Sequence, residues 1–400
     1  MFPSFSAADA SLGYAYQVRV GLLRALELAR RGSQFDVAVE TLDDVSFTHS
    51  GGEPFELLQL KHGMTAKAGL SDASEALWKT LRIWSTKERA GDLQDGVKLY
   101  LITTSFASEG TVASYLKGRS RNVPEAQKLL DATAATSLNK DNATAYGDWK
   151  ALTPAQRNSL LERIEIIDSA PNIIDLEDCL LEQLWGFVET SKRPAFLEYL
   201  EGWWFRRVLR QLAKAAPVIS VGELESQMDK LREEFRKENL PIDGALLAKE
   251  LDDALVESYR AHVFVLQLEL VRARARRISI AIRDYFRAYE QRSKWIRQDL
   301  VLDIELKGYE RQLIDEWELA REQALVDLDS EATEDELRAI GLRLLLWAEN
   351  SLIPIRSGVS TPFVCRGSLH MLADEQKIGW HPKFLERLAE ILKPPPETNP

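Results

Sequence analysis

No proline occurs between residues 242 and 353, and this absence most restricts what the chain can fold into. The stretch is dense in Leu, Ala, Glu, Arg and Gln, which favour helices, and proline would interrupt helix interiors. Two Ser/Thr-x-x-Glu pairs, Ser220/Glu223 and Thr333/Glu336, are typical of helix starts. The pattern predicts that residues 176–400 form a mostly α-helical C-terminal domain.

Helix-like and strand-like segments alternate in the first 175 residues. Apolar residues at helical spacing predict a first helix that stops at Gly32. Further elements are predicted at 35–63 (two strands joined by a Gly-Gly turn), 71–89 (a helix capped by Ser71), 97–105 (a strand) and 164–169 (a strand). A chain of 400 residues exceeds what one core usually serves. The expected class is therefore α+β, with an α/β domain at 1–175 and a helical domain at 176–400.

Composition narrows the classes of function. The net charge of -11 argues against a passive nucleic-acid coat, although a local basic groove remains compatible with it. Two cysteines far apart in sequence cannot build a disulfide framework or a zinc cluster, which favours a reducing compartment. The N-terminal residues lack the pattern of a signal peptide, and no apolar run is long enough to span a membrane. We expect a cytoplasmic protein.

The hairpin FDVAVETLDDVSFTHSGGEPFELLQLKHG, residues 35–63, carries unusual polar residues for a strand pair. Side chains alternate faces along a strand, so Gln59 and Lys61 share one face. Glu40 and Asp44 have equal parity, whereas Asp43 falls on the other face unless a bulge intervenes. Carboxylate and amide oxygens suit Mg²⁺ or Mn²⁺, and a nearby lysine can stabilise or deprotonate an attacking water beside a phosphate.

Each half of this pattern has an ordinary explanation as well. Acidic residues near a turn are usually solvated, and an edge strand often carries a lysine that discourages aggregation. Their joint occurrence on one hairpin favours a metal-dependent active site.

The arrangement resembles the PD-(D/E)xK nuclease superfamily, with glutamine in place of the second acid as in its Mrr-like branch. It is most similar to the double-stranded DNA endonuclease domain of CD-NTase-associated effectors, which also serves ABC-three-component and Lamassu-type phage defence systems. The segments that carry the resemblance are GYAYQ (13–17), VETLDDV (39–45), LLQLKH (57–62), LSDASEALWKTLRIW (70–84) and YLITTSFASEG (100–110). The segment GSLHMLADEQKIGWHP (367–382) is similar to the end of ABC-three-component or Lamassu nuclease subunits.

The resemblance implies a restriction-endonuclease-like N-terminal fold and assigns roles to residues of the hairpin. The implied set is Asp44 as principal metal ligand, Gln59 as second ligand, Glu40 as auxiliary ligand, Lys61 as catalytic lysine, and Gln17 reaching the site from the first helix. Asp43 is the alternative to Asp44, since the two are adjacent. His62 is a candidate phosphate contact, with a structural or solvent-facing role as the alternative.

The implied activity is Mg²⁺- or Mn²⁺-dependent hydrolysis of double-stranded DNA by the effector of an anti-phage complex. The sequence contains no GxxxxGK[ST] motif, so ATP hydrolysis by a P-loop would come from another subunit. The resemblance implies an SMC/ABC-type ATPase and a small accessory subunit as partners, homo-oligomerisation on activation, and no membrane. The alternatives are a non-catalytic adaptor that keeps the nuclease fold as a platform, and a purely structural oligomerising protein.

Residues 272–297 hold nine Lys or Arg against two acids, with aromatic residues interleaved. A surface of this kind would bind DNA phosphates or an acidic partner, and its leading residues are Arg272, Arg274, Arg276 and Arg277. The alternative is a long helix with charged residues on its solvent-exposed face and aromatic residues in a hydrophobic core.

Overall fold

Six β-strands form one mixed sheet in the computed structural model, which describes residues 7–62, 69–118, 121–326, 328 and 331–392. The strands are β1 (Asp36–Val39), β2 (Val45–Thr48), β3 (Pro54–Lys61), β4 (Lys98–Thr103), β5 (Ile164–Ile167) and β6 (Ile219–Ser220). They lie side by side in the order β5-β4-β3-β2-β1-β6. The pairs β3/β4 and β4/β5 are parallel, and the other neighbours are antiparallel. The predicted α+β class is confirmed.

The chain divides into two compact units between Lys230 and Leu231. The helices that begin in the first unit are α1 (Ala7–Arg30), α2 (Glu75–Ala90), α3 (Val112–Tyr115), α4 (Val123–Thr136), α5 (Ala143–Lys150), α6 (Pro154–Arg163), α7 (Leu176–Gln183), α8 (Arg193–Leu212) and α9 (Val221–Glu234), with 3₁₀ turns at Lys140–Asn142 and Thr190–Lys192. Parallel strands need a crossover connection, and α2 provides it between β3 and β4.

The crossover helix α2 packs its apolar face on the sheet. Leu77, Trp78, Leu81 and Trp84 are all buried, at helical spacing, in one core cluster with leucines of β3 and β4. Ser74 caps the start of α2, because its side chain accepts a hydrogen bond from the Leu77 N–H at 3.3 Å. The prediction of Ser71 as the cap is therefore wrong by one turn.

The predicted first strand of the hairpin, residues 35–44, is in fact interrupted. β1 ends at Val39 and β2 begins at Val45, so residues 40–44 are a turn between two strands. The predicted Gly-Gly turn is confirmed, but it joins β2 to β3. Gly52 has φ of 85°, a left-handed conformation that glycine adopts without steric penalty.

The first unit extends beyond the predicted domain limit at residue 175. Helix α8 contacts β1, and β6 pairs with β1 through Asp36↔Ser220 and Val37↔Ile219. Residues 176–400 therefore contain a short strand in addition to their helices. A strand of two residues is too short to produce an alternating pattern in the sequence.

Within the described residues, the second unit is built from helices. They are α10 (Gly244–Ala248), α11 (Asp253–Ser258), α12 (Val263–Leu270), α13 (Ala275–Arg297), α14 (Asp303–Leu325), α15 (Glu334–Asn350), α16 (Pro362–Asp374) and α17 (Phe384–Ile391). The predicted capping box at Thr333 and Glu336 starts α15. None of the helices in the described ranges is both long enough and apolar enough to cross a bilayer.

Helices α13 and α16 approach each other closely at Gly367. A Cβ at this position would lie 2.1 Å from the Asp284 carbonyl oxygen and 2.4 Å from the Ala288 Cβ. Such distances are far inside van der Waals contact, so the crossing requires a residue without a side chain.

One turn after Gly367, His370 is buried in the core of the second unit. Its ring centroid lies 5.7 Å from those of Phe264 and Trp380, and its Nδ1 has no hydrogen-bond partner in the part of the chain that the structure describes. Burial lowers the pKa of His370 to about 3, with a smaller contribution from the positive charge of Arg366. The ring is therefore neutral in the folded protein.

We expect the folded state to lose stability on acidification because of His370. An unfolded histidine takes up a proton below a pKa of about 6.5, whereas the folded ring takes it up only near pH 3, so the unfolded state binds more protons between these values. His370→Leu should therefore show a shallower fall in melting temperature between pH 7 and pH 4 than the parent protein. His49→Leu, at an exposed position, is the control. Parallel curves for the parent protein and His370→Leu would contradict the assignment.

Candidate active site

The turn between β1 and β2 carries the acidic residues singled out in the sequence. Glu40 adopts φ of 52°, and its N–H donates to the Asp44 carbonyl oxygen at 2.9 Å, which closes the turn. A left-handed conformation is uncommon for a residue with a side chain and is often found at functional sites. Because residues 40–44 are not a strand, the parity argument that favoured Asp44 over Asp43 does not apply.

Asp43 is a buried carboxylate with donors from two other elements. The Trp84 indole N–H of α2 donates to Asp43 Oδ2 at 2.9 Å, and the Gln59 amide of β3 donates to Asp43 Oδ1. The Asp44 N–H lies 3.2 Å from Oδ1 as well. Burial raises the pKa of Asp43, and the hydrogen bonds from Trp84 and Gln59 offset part of this rise.

Asp44 binds the same amide from the other side. Its Oδ1 lies 3.2 Å from Gln59 Nε2, and its Oδ2 accepts a hydrogen bond from the Leu60 N–H at 2.7 Å. β3 runs on beyond the pairing of Val45 with Leu58, so the Leu60 N–H has no partner in β2. The Asp44 side chain therefore supplies the hydrogen-bond acceptor that a residue of β2 would otherwise provide for the Leu60 N–H.

Gln59 and Lys61 lie on one face of β3, as the alternation predicts. Lys61 Nζ donates to Gln59 Oε1 at 3.1 Å, while Gln59 Nε2 faces the two carboxylates. This orientation of the amide satisfies donors and acceptors on both sides, whereas the opposite orientation would place oxygen against carboxylates and nitrogen against an ammonium group.

The cluster formed by Asp43, Asp44, Gln59 and Lys61 fits a divalent cation. Both carboxylates present an oxygen to the same atom, Gln59 Nε2, so a cation that displaced this NH₂ group would meet the same two oxygens. Rotation of the amide would add Gln59 Oε1 as a third hard ligand. Nowhere in the described ranges do three or more His, Cys, Asp or Glu side chains gather as a metal site, so a cation at this cluster would need the amide oxygen as a ligand.

Glu40 takes no part in the hydrogen bonds of this cluster within the described residues. Its side chain is exposed, and its charge acts on Tyr14 of α1. Burial raises the pKa of Tyr14, and the charge of Glu40 adds to the rise. Tyr14 and the predicted auxiliary residue Gln17 both lie on α1. The Tyr14 hydroxyl and Gln17 Oε1 are shielded from solvent, and neither has a hydrogen-bond partner among the described residues.

His62 packs against neighbours at the end of β3. Its ring centroid lies 4.7 Å from that of Tyr16, and its Nε2 accepts a hydrogen bond from the Ile173 N–H at 3.4 Å. Burial lowers the pKa of His62. These contacts favour the structural alternative, while a phosphate contact stays a prediction.

Trp84 and Lys87 of α2 reach the turn, and sequence reasoning missed both. Trp84 binds Asp43 across 41 positions of sequence, and Lys87 Nζ donates to the Leu42 carbonyl oxygen. Helical periodicity indicates that Trp84 is buried. No local feature of the sequence indicates that the Trp84 indole N–H donates a hydrogen bond to a carboxylate.

The basic stretch 272–297 covers α13 and the three residues before it, and its four leading arginines lie at the start of this helix. Arg277 forms two hydrogen bonds with Glu349, at 2.9 and 2.7 Å, and Arg272 lies 3.4 Å from Asp335. Arg274 and Arg276 are exposed. Phe286 and Trp295 are buried, so these interleaved aromatics belong to a core. Contact with DNA or a partner through the arginines stays a prediction.

Residues 264–388 match the family model of the C-terminal domain 7 of the ABC-three component (ABC-3C) systems. The matched region lies within the second unit. The match supports a place for this protein in the ABC-three-component family, and it does not include the hairpin. The comparison with curated proteins finds no match.

Gln59→Glu tests how the cluster is held together. A third carboxylate would replace the donor between Asp43 and Asp44, so we expect the variant in EDTA to lose about 1–3 kcal/mol of stability. Mn²⁺ should restore its melting temperature and stabilise it more than the parent protein. Gln94→Glu, at an exposed position, controls for the change of charge. A Gln59→Glu variant that melts like the parent in EDTA would show that the amide does not bridge the carboxylates.

Proposed function

We propose that this protein is a divalent-metal-dependent DNA endonuclease that serves as the effector of a multi-subunit ABC-three-component defence complex. The observation that carries the proposal is the convergence of Asp43 and Asp44 on the Gln59 amide, with Lys61 Nζ 3.1 Å from Gln59 Oε1. Two carboxylates, an amide and a lysine from one hairpin are the residue types that phosphodiester hydrolysis with a hard cation requires.

In this proposal Asp43 takes the place of Glu40 beside Asp44 and Gln59, because Asp43 shares a hydrogen-bond donor with Asp44. Mg²⁺ or Mn²⁺ held there would supply Lewis-acid polarisation of the phosphate and a bound water of lowered pKa. Asp43 and Asp44 would contribute the negative charge that holds this cation. Glu40 stays outside this ligand set.

Lys61 changes partner in the proposed mechanism. Turning Gln59 Oε1 toward the carboxylate side takes it away from Lys61 Nζ, which then lacks an acceptor within the cluster. The ammonium can face the phosphate and stabilise the negative charge that develops as the water attacks. Gln59 would thereby link binding of the cation to release of Lys61 from its hydrogen bond with the amide.

Regulation is assigned to other subunits. The second unit carries the match to an ABC-three-component C-terminal domain, and the sequence has no P-loop motif. We therefore assign the second unit to docking on an SMC/ABC-type ATPase and a small accessory subunit, and to self-association on activation. A Lamassu-type anti-phage system is the member of this group that the resemblance of the sequence favours.

A non-catalytic adaptor is the second candidate function. Both oxygens of Asp43 already accept hydrogen bonds from protein donors. A fully satisfied polar network can serve only to specify a fold. The nuclease fold would then survive as a platform for partners.

Cleavage of supercoiled and linear double-stranded DNA with Mg²⁺ or Mn²⁺, alone and with the partner subunits, separates the two functions. We expect Lys61→Ala to lower the cleavage rate roughly 100-fold or more, because a group that stabilises transition-state charge is lost. Lys79→Ala, exposed on α2, should cleave like the parent protein. If no condition yields nicked DNA and Lys61→Ala still protects cells from phage, the adaptor function is correct.

A further inference from the structure

Trp84 donates its only polar hydrogen to an ionisable side chain. The indole Nε1 lies 2.9 Å from Asp43 Oδ2, and the exposed fractions of Trp84 and Asp43 are only 1% and 8%. An indole N–H can donate but cannot accept, and a hydrogen bond to an ionised acceptor is stronger than one to a neutral acceptor. The contact therefore stabilises Asp43 in the form that binds cations.

The contact also fixes the plane of the Asp43 carboxylate, so that one oxygen meets Trp84 and the other faces the rest of the cluster. With Oδ2 held by Trp84, Oδ1 is left to meet the Gln59 amide, beside Asp44 Oδ1. Rotation of the Asp43 carboxylate would break the bond to Trp84 inside a buried environment, where an unpaired N–H is costly. Trp84 thus restricts Asp43 to one orientation.

A second tryptophan of α2 shows that a buried indole N–H does not require a carboxylate as its hydrogen-bond acceptor. Trp78 is also fully buried, and its indole N–H donates to the main-chain carbonyl oxygen of Asp72 at 2.6 Å. A main-chain acceptor therefore satisfies one buried indole of this helix. Trp84 alone of the two is bound to a residue of the proposed cation site.

We propose that Trp84 is a positioning residue for the cation, acting through Asp43. This inference rests on the proposed function, since it assumes that Asp43 and Asp44 hold the metal. The role resembles that of the outer partners that orient the ligands of other metal sites. Trp84 touches neither cation nor substrate.

Binding of Mn²⁺ to the full chain, measured by electron paramagnetic resonance and calorimetry without DNA, tests the inference. We expect Trp84→Phe to weaken Mn²⁺ binding roughly 10-fold or more, because an orienting partner is lost. Trp78→Phe is the matched control, since it also removes the N–H of a buried indole in α2. It should lose thermal stability but keep the affinity of the parent for Mn²⁺.

Trp84→His separates hydrogen bonding from packing. The Nε2 of histidine occupies the same place relative to the Cβ as the Nε1 of tryptophan, so the variant keeps a ring N–H donor while it loses the six-membered ring. We expect it to be less stable than Trp84→Phe and yet to bind Mn²⁺ more tightly. If Trp84 acted only by packing, the less stable variant, Trp84→His, would also bind Mn²⁺ more weakly.

The outcomes also distinguish the inference from the proposed function. If the parent protein binds Mn²⁺ and Trp84→Phe binds it as tightly as Trp78→Phe does, the inference is overturned and the proposed function stands. If Trp84→His is the weaker binder of the two Trp84 variants, the residue acts by packing and the inference is again overturned. If the parent protein binds no Mn²⁺ and cleaves no DNA, the proposed function fails, and the inference fails with it.

Discussion

Burying a carboxylate costs free energy unless donors surround it, and the Asp43 carboxylate has donors from separate parts of the chain. The Trp84 N–H comes from α2 and the Gln59 amide from β3, so the turn, the crossover helix and the central strand must all be in place together. Residues on which the candidate site depends are in this way built into the packing of the first unit. The same hydrogen bonds stabilise the fold and position the residues of the candidate site. At this turn, effects on stability and effects on the site are therefore hardest to separate.

Features with local causes could be predicted from the sequence. The capping box at Thr333 and the turn at Gly52 depend on residues within a few positions of each other, and the structure contains both. The sharing of a face by Gln59 and Lys61 follows from strand alternation alone. These are the parts of a fold that the chain specifies over short distances.

Features with distant causes could not be predicted in the same way. The break between Val39 and Val45 reverses the chain so that β1 and β2 pair as antiparallel neighbours, and its residues include Thr41 and Leu42, which are not typical turn residues. The strand β6 exists only because β1 offers it an edge. The contact of Trp84 with Asp43 depends on a parallel crossover, which brings together residues far apart in sequence. Tertiary context decides each of these cases.

The second unit has a different kind of constraint. Its arginines at the start of α13 are partly engaged by Glu349 and Asp335, and its helices cross closely enough at Gly367 to exclude a side chain. The region that matches an ABC-three-component domain therefore has closely packed helices, and two of its four leading arginines are bound to acidic residues. Arg272, Arg274 and Arg276 are all exposed at the start of this helix.

The position of the boundary between the two units has a consequence for truncated forms of this protein. Every residue of the cluster lies between positions 43 and 61, with Trp84 shortly after, whereas the matched region begins at residue 264. A protease cut or a premature stop codon near residue 230 would leave the cluster whole on one fragment and remove the matched region from it. If the proposed nuclease function is correct and the helical unit restrains it, selection must act against such fragments, since each would be a nuclease released from its control.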